Sequence, residues 1–228
     1  RWLHETPVFA EMQQRKALAE ELPLRAVLRD HRGPIILSML LTWMLSAGIV
    51  VVILMTPTYL QKQFGVLPAL ALQANSLAIV ALVCGCVIAG LVIDRFGASK
   101  TFIVGSLMLA ASTWSFYHTN LTDPTQLFTH YMMAGFCVGI VGAVPYVMVR
   151  AFPAEVRFTG ISFSYNVAYA IFGGLTPIVV TLLMKMTPMA PAYYMLLLSL
   201  VGVLLGIYLR NDINSDVKEH LPKKALAD

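Results

Sequence analysis

Charged residues fall in short clusters along this 228-residue chain, and the intervals between clusters are long and apolar. No charge occurs between Arg32 and Lys62, Lys62 and Asp94, Lys100 and Asp123, Asp123 and Arg150, Arg157 and Lys185, or Lys185 and Arg210. A helix needs about 20 apolar residues to cross the hydrocarbon of a bilayer. Every interval is long enough, so the pattern predicts six spans at about 35–60, 70–93, 101–118, 125–149, 159–184 and 190–209. Barrel strands alternate over about 10 residues, and a run such as "IILSMLLTWMLSAGIVVVILMT" does not alternate. The expected fold is an all-α membrane protein, a six-transmembrane-helix bundle over 34–210. A cytoplasmic linker with short amphipathic helices is expected over 1–33, broken at Pro23, and a cytoplasmic tail over 211–228.

Composition agrees. The chain is 58% hydrophobic and 12% charged, against about 25% charged in a soluble domain. Of the 16 Lys and Arg, all but Lys62 and Lys185 fall on the side of the bundle that holds both ends. Cytoplasmic loops carry that excess, so both ends are expected in the cytoplasm. The net charge of +4 expresses this asymmetry; it is not a nucleic-acid footprint, and no nucleic-acid partner is expected. Cys84, Cys86 and Cys137 lie within spans without disulfide or metal spacing, and no cofactor or metal is called for. The chain opens on Arg1 without a signal-type segment and is expected to be part of something longer.

Several positions break the apolar pattern. Pro57 lacks an N–H and should free a backbone carbonyl one turn earlier, near Ile53, which a neighbouring helix or water must satisfy. Gln73, Asn75 and Ser76 sit near the outer end of span two, followed by Gly85 and Gly90, which admit a close neighbour. Spans three and six have the fewest strong polar groups and are the expected lipid-facing helices. In span five, Ser162, Tyr165, Asn166, Tyr169 and Gly173 recur at helical spacing and share one face. Lipid does not solvate an amide, so this face meets either a central cavity or polar groups of other helices. In a cavity, Asn166 would supply a donor and an acceptor, and the two tyrosines hydroxyls and ring faces. His130 is the one ionisable side chain well inside a span; it is either a proton relay or a wetted interfacial histidine two turns from Asp123. Trp43, Thr56 and Tyr59 are further cavity candidates, as is Tyr146 beside Pro145.

The loop "GLVIDRFGASK" carries Gly90, Asp94, Arg95, Gly97 and Lys100. Asp94 is placed to meet the positive end of a neighbouring helix, and Arg95 to pair with an acid. Two readings stand: a latch made in one conformation and broken in another, or a solvated turn. The loop resembles the cytoplasmic signature of the major facilitator superfamily, G-x-x-x-D-R-x-G-R-R/K, departing from it at Ala98 and Ser99. "FPAEVRFTGISFSYNVAYAIFGGLTP" resembles the eleventh-helix signature of the superfamily's metabolite:proton symporters, through Phe152, Pro153, Arg157, Thr159, Gly160, Tyr165, Asn166, Gly173, Gly174 and Pro177. "RWLHETPVF" resembles the segment after the sixth helix there, through Glu5, Thr6, Pro7 and Phe9.

The resemblance implies the second half of a twelve-helix carrier. Its expected partners are the lipid bilayer, an N-terminal six-helix half, a proton and a small charged metabolite such as an organic acid or betaine. It implies that the first and fourth helices of the half line the pathway, the second and fifth meet the other half, and the third and sixth face lipid. It also implies a bacterial inner-membrane location. Gly90, Asp94, Arg95, Gly97 and Lys100, with Glu155 and Arg157 at the cytoplasmic entrance of span five, are the candidate gate. None of the 12 acidic residues falls in a span interior, so a coupling carboxylate is expected in the other half. A truncated or regulatory six-span protein without transport is the alternative. An intramembrane serine hydrolase is disfavoured: that motif needs Gly after its serine, and Ser162 is followed by Phe163.

Overall fold

The computed structural model describes residues 23–220. Glu5, Thr6, Pro7 and Phe9 of the resemblance, most of the expected linker and the last part of the tail lie outside the described residues. Seven helical rods follow one another, with no strand among the described residues. A short helix, α1 (Pro23–Asp30), precedes α2 (Arg32–Phe64), α3 (Pro68–Phe96), α4 (Ala98–His118), α5 (Pro124–Ala151), α6 (Arg157–Met184) and α7 (Ala190–His220). Pro23 lies in the first turn of α1, where a proline gives up only an N–H that has no helical partner; the chain before it, and so the expected break there, lies outside the described residues.

The boundaries have local causes. Pro68 and Pro124 open α3 and α5. Asp123 caps α5 by accepting from the Thr125 N–H at 2.9 Å. Gly65, at φ 65°, closes α2, and Gly97, at φ 81°, turns the chain between α3 and α4. α7 runs on to His220, past the expected end at 209, since no proline or glycine intervenes before that point.

Five of the long rods, α2, α3, α5, α6 and α7, are long and apolar enough to cross a membrane. α4 falls short of them in apolarity, although it was expected to be among the plainest. Ser99, Thr101, Ser106, Ser112 and Thr113 are buried, and Ser99 and Ser106, seven residues apart on one side, meet Gly206 and Gly202 of α7. Small hydroxyls let the rods approach closely and are met mostly by backbone. Ser99 Oγ donates to the Gly206 carbonyl at 2.7 Å, and Thr113 Oγ1 donates to the Leu109 carbonyl at 2.7 Å. Only the opposite face of α4, with Val104, Leu107, Met108 and Trp114, is exposed.

α3 packs on α5 almost backbone to backbone. A Cβ on Gly85 would lie 2.2 Å from the Phe136 carbonyl, and one on Gly139 2.4 Å from the Gly85 carbonyl carbon. The least buried rods are α3 and α6, where 22% and 17% of the most apolar stretch is covered, against 67% in α2 and 61% in α5. The bundle therefore centres on α2 and α5, with α3 and α6 presenting their outer faces. A satellite core of Val27, Ile35, Phe152 and Val156 pins α1 to the start of α2 and to the α5–α6 connection.

Candidate functional site

Three rods are interrupted, each shortly before a proline. α2 contains a π-helical stretch at Val50–Met55 ahead of Pro57, α5 a 3₁₀ stretch at Gly139–Ala143 ahead of Pro145, and α6 a π-helical stretch at Tyr169–Gly173 ahead of Pro177. The carbonyls expected to lose their donors near Pro57 are met by side chains, one and two residues earlier than Ile53. Thr56 Oγ1 donates to the Val51 carbonyl at 3.0 Å, and Tyr131 Oη donates to the Val52 carbonyl at 2.8 Å. The displacement follows from the wider turn: in an i→i+5 register, the donor that Pro57 lacks is the one Val52 would use. Tyr131, wholly buried, also contacts Asn75 Oδ1. A phenol has one proton, so Tyr131 Oη donates to the Val52 carbonyl or to Asn75 Oδ1 and not fully to both at once.

The predicted cavity residues separate into three places. Thr56 and Tyr59 are buried inside this bundle's own core. Thr56 Oγ1 lies 3.4 Å from Tyr117 Oη, the Tyr59 ring meets Tyr117 edge-on at 5.4 Å, and the Tyr59 hydroxyl has no partner among the described residues. His130 is half-buried near the start of α5, where Nδ1 faces the Gln126 carbonyl at 2.9 Å and Nε2 faces Thr119 Oγ1 at 3.3 Å. Neither joins the third group, which lies on α6.

On α6, Ser162 and Tyr165 are half-buried while Asn166 and Tyr169 are exposed. Asn166 returns one N–H to the Ser162 carbonyl at 2.7 Å. Its Oδ1 and its second N–H have no partner among the described residues. The Tyr165 and Tyr169 rings lie 5.6 Å apart. Gly173 leaves room for the Tyr169 ring, which sits 3.3 Å from where a Cβ would be. Trp43 reaches this helix from α2: its indole stacks on Phe172 at 4.9 Å, and Nε1–H donates to Tyr194 Oη of α7 at 3.0 Å. That leaves the Tyr194 proton for Thr176 Oγ1, 3.0 Å away. Tyr194, Thr176 and Phe172 tie α2, α6 and α7 together. No spacing rule singles them out, because each reads as ordinary apolar or hydroxyl filler in its own span.

The residues of the candidate gate lie at the α3–α4 and α5–α6 turns. Gly90 is half-buried; Asp94, Arg95 and Lys100 are exposed, and Gly97 makes the turn. Arg95 lies over the Phe96 ring at 5.7 Å. Arg157 Nε donates to the Phe152 carbonyl at 3.2 Å, and Gly160 leaves space for the Phe152 ring, 2.5 Å from where its Cβ would be. Glu155 is exposed. Among the described residues no ion pair joins Asp94 or Glu155 to a cation, so the structure does not bring the latch together.

Apolar rods with an exposed amide in mid-helix, broken beside prolines, define a polytopic helical membrane protein. Comparison with known proteins narrows this. The chain belongs to the Major Facilitator Superfamily, whose profile matches residues 2–177. It is similar to the citrate-proton symporter of Klebsiella pneumoniae, 26% identical over 92% of this chain and 48% of that protein. It is also similar to a provisionally named proline/betaine transporter of Staphylococcus aureus (strain COL), 25% identical over 92% of this chain and 46% of that one. The proline/betaine transporter of Salmonella typhimurium is 27% identical over 58% of this chain and 27% of its own length. The chain spans about half the length of the first two relatives.

Proposed function

We propose that the chain is the second, six-helix half of a secondary active transporter, which takes up a small carboxylate-bearing metabolite with a proton by alternating access. The observation that carries this is Asn166: an exposed amide with unused donor and acceptor capacity, inside the least covered rod, well away from either end. Citrate, proline and glycine betaine, the chemistries in the relatives' names, share a carboxylate. The Asn166 N–H and the Tyr165 and Tyr169 hydroxyls can donate to that group. The low coverage of α3 and α6 supports their lying against a second six-helix half, with rocking of the two bundles about a site near the midplane. Asp94, Arg95, Lys100, Glu155 and Arg157 then form the cytoplasmic gate, open to pairing in the other conformation. The coupling carboxylate belongs to the other half, and His130 serves as an interfacial histidine. The bacterial sources of the relatives support an inner-membrane location, and the Lys and Arg distribution supports both ends of this segment lying in the cytoplasm.

The test is uptake of labelled citrate, proline and glycine betaine by the full-length carrier in vesicles with an imposed pH gradient. Asn166→Ala is expected to lower uptake of the transported compound by about tenfold or more, the loss of one or two hydrogen bonds to a charged group. Tyr169→Phe should raise KM with a smaller effect on the maximal rate. Unchanged uptake in both variants overturns the site. Absence of any uptake by a correctly inserted full-length protein overturns the transport reading and favours a six-span protein without activity of its own.

A further inference from the structure

The outer wall of the bundle carries a groove of about 380 Å³ between α3, α4 and α5, within the size range of small-molecule sites. Its position and lining set it apart from the α6 face. Ile88, Val92 and Phe96 form one wall at helical spacing, Val104 and Met108 form the facing wall, and Ile140 lies on the floor. Val104, Met108 and Ile88 are 56%, 47% and 44% exposed, so the groove opens sideways from the bundle. Its only charged lining residue is Lys100, at the end where α3 turns into α4. No carboxylate lines it, and the one lining hydroxyl, Thr101 Oγ1, is already committed to the Gly97 carbonyl at 2.8 Å. Lys100 has no ion-pair partner among the described residues.

Length identifies the occupant. From Gly85 to Phe96 is eleven residues, and from Lys100 to Met108 eight, which at helical rise makes the groove about 12–16 Å deep. Half of a bilayer's hydrocarbon is about 15 Å. The groove thus runs from one membrane surface to about the midplane, apolar throughout, with one cation at the surface end.

We infer that this groove holds one acyl chain of an anionic phospholipid, whose phosphate pairs with Lys100. The lipid sits on the outer side of the α3–α4 connection and holds the turn at Gly97 from the membrane side. The inference stands on the groove and its charge and does not depend on what the α6 face binds.

The experiment is native mass spectrometry of the purified chain. The protein is delipidated and then exposed to phosphatidylglycerol or phosphatidylcholine with identical acyl chains. The wild type is expected to retain one phosphatidylglycerol in preference to phosphatidylcholine by about fivefold, the contribution of one basic side chain near a membrane surface. Lys100→Gln is expected to abolish the preference while leaving weak retention of both lipids. Val104→Trp and Met108→Trp, substitutions at exposed positions that fill the groove, should each displace both lipids. Equal retention of the two lipids by the wild type overturns the inference, as does an undiminished preference in Lys100→Gln. Full retention in both tryptophan variants also overturns it, and places the lipid elsewhere on the bundle or the groove under another protein surface.

Discussion

Tyr131→Phe isolates the contact that repairs the break in α2. The substitution keeps the ring, its 5.0 Å stack on Phe116 and its complete burial, and removes only the hydroxyl. Two groups then lose a partner: the Val52 carbonyl and the Asn75 amide. Asn75 is half-buried near an end of α3 and can turn toward water, so its loss is recoverable. The Val52 carbonyl is fixed in the backbone, and Val52 is fully buried. Leaving a buried polar group unmet costs about 1–3 kcal/mol, whereas interhelical hydrogen bonds in membrane proteins average about 0.6 and reach about 1.7 kcal/mol. Val52 is buried away from water, so a cost of about 1–2 kcal/mol is expected. The assay is reversible unfolding in mixed micelles with increasing dodecyl sulfate, followed by tryptophan fluorescence and circular dichroism. Tyr208→Phe, at a residue 51% exposed on α7, is the control and should be neutral. Pro57→Ala restores an N–H to the α2 backbone. If the reasoning holds, Tyr131→Phe costs less in the Pro57→Ala background than alone, a coupling of about 0.5 kcal/mol or more. Strict additivity, or a Tyr131→Phe cost no larger than that of Tyr208→Phe, refutes the account.

Gly139→Ala forces a methyl to within 2.4–2.6 Å of the Gly85–Cys86 backbone; since neither backbone can rotate away, a loss of about 3 kcal/mol or more is expected, read as loss of folded monomer in the same micelle titration. Gly97→Ala places a Cβ at φ 81°, ψ 164°, a region held almost only by glycine, and should cost about 1–3 kcal/mol without changing helix content by circular dichroism. Tyr194→Phe removes the acceptor of the Trp43 N–H and the partner of Thr176; a loss of about 1 kcal/mol is expected, with a shift in Trp43 emission that a Tyr193→Phe control does not show.

The rods were legible because lipid permits so few alternatives. Charge-free intervals of this length that do not alternate leave the helix as the one spanning structure, and each of the six expected spans coincides with a helix to within a few residues, apart from the extension of α7. What sequence could not supply is partnership. Pro57 announces a stripped carbonyl but does not name Tyr131, 74 positions away, and Trp43 finds its acceptor 151 residues on. Gly85 was readable as a close-approach point, whereas Gly90, read the same way, has nothing within 4 Å of where a Cβ would be; and the pairing of Gly85 with Gly139 belongs to the packing alone. The misjudgement of α4 has the same origin. Its serines and threonines look mild one at a time, but they are buried on more than one side, Ser99 and Ser106 against α7 and Thr101 in the groove beside α3, and turn a supposedly plain helix into a packed one. On α6 the helical spacing of Ser162, Tyr165, Asn166 and Tyr169 was readable, while the grading along it, from half-buried to exposed, required the structure.

The distribution of helix breaks carries a further argument. α3 and α4 run unbroken, as does α7, whereas α2, α5 and α6 each change register within six residues or fewer and each just before a proline. A helix facing only lipid pays for such a break in unmet backbone groups, so breaks persist where other helices or a polar cavity supply partners. In α2 the partners are visible: Thr56 and Tyr131 take up two carbonyls. In α6 the break begins at Tyr169, directly beyond Asn166, on the rod with the least covering. The two polar features of α6, an amide with spare capacity and a loosened turn, are therefore adjacent, and both lie on the rod with the least covering. That conjunction supports the α6 face as the side of the bundle that meets substrate and a second bundle, and it does so from backbone geometry rather than from resemblance.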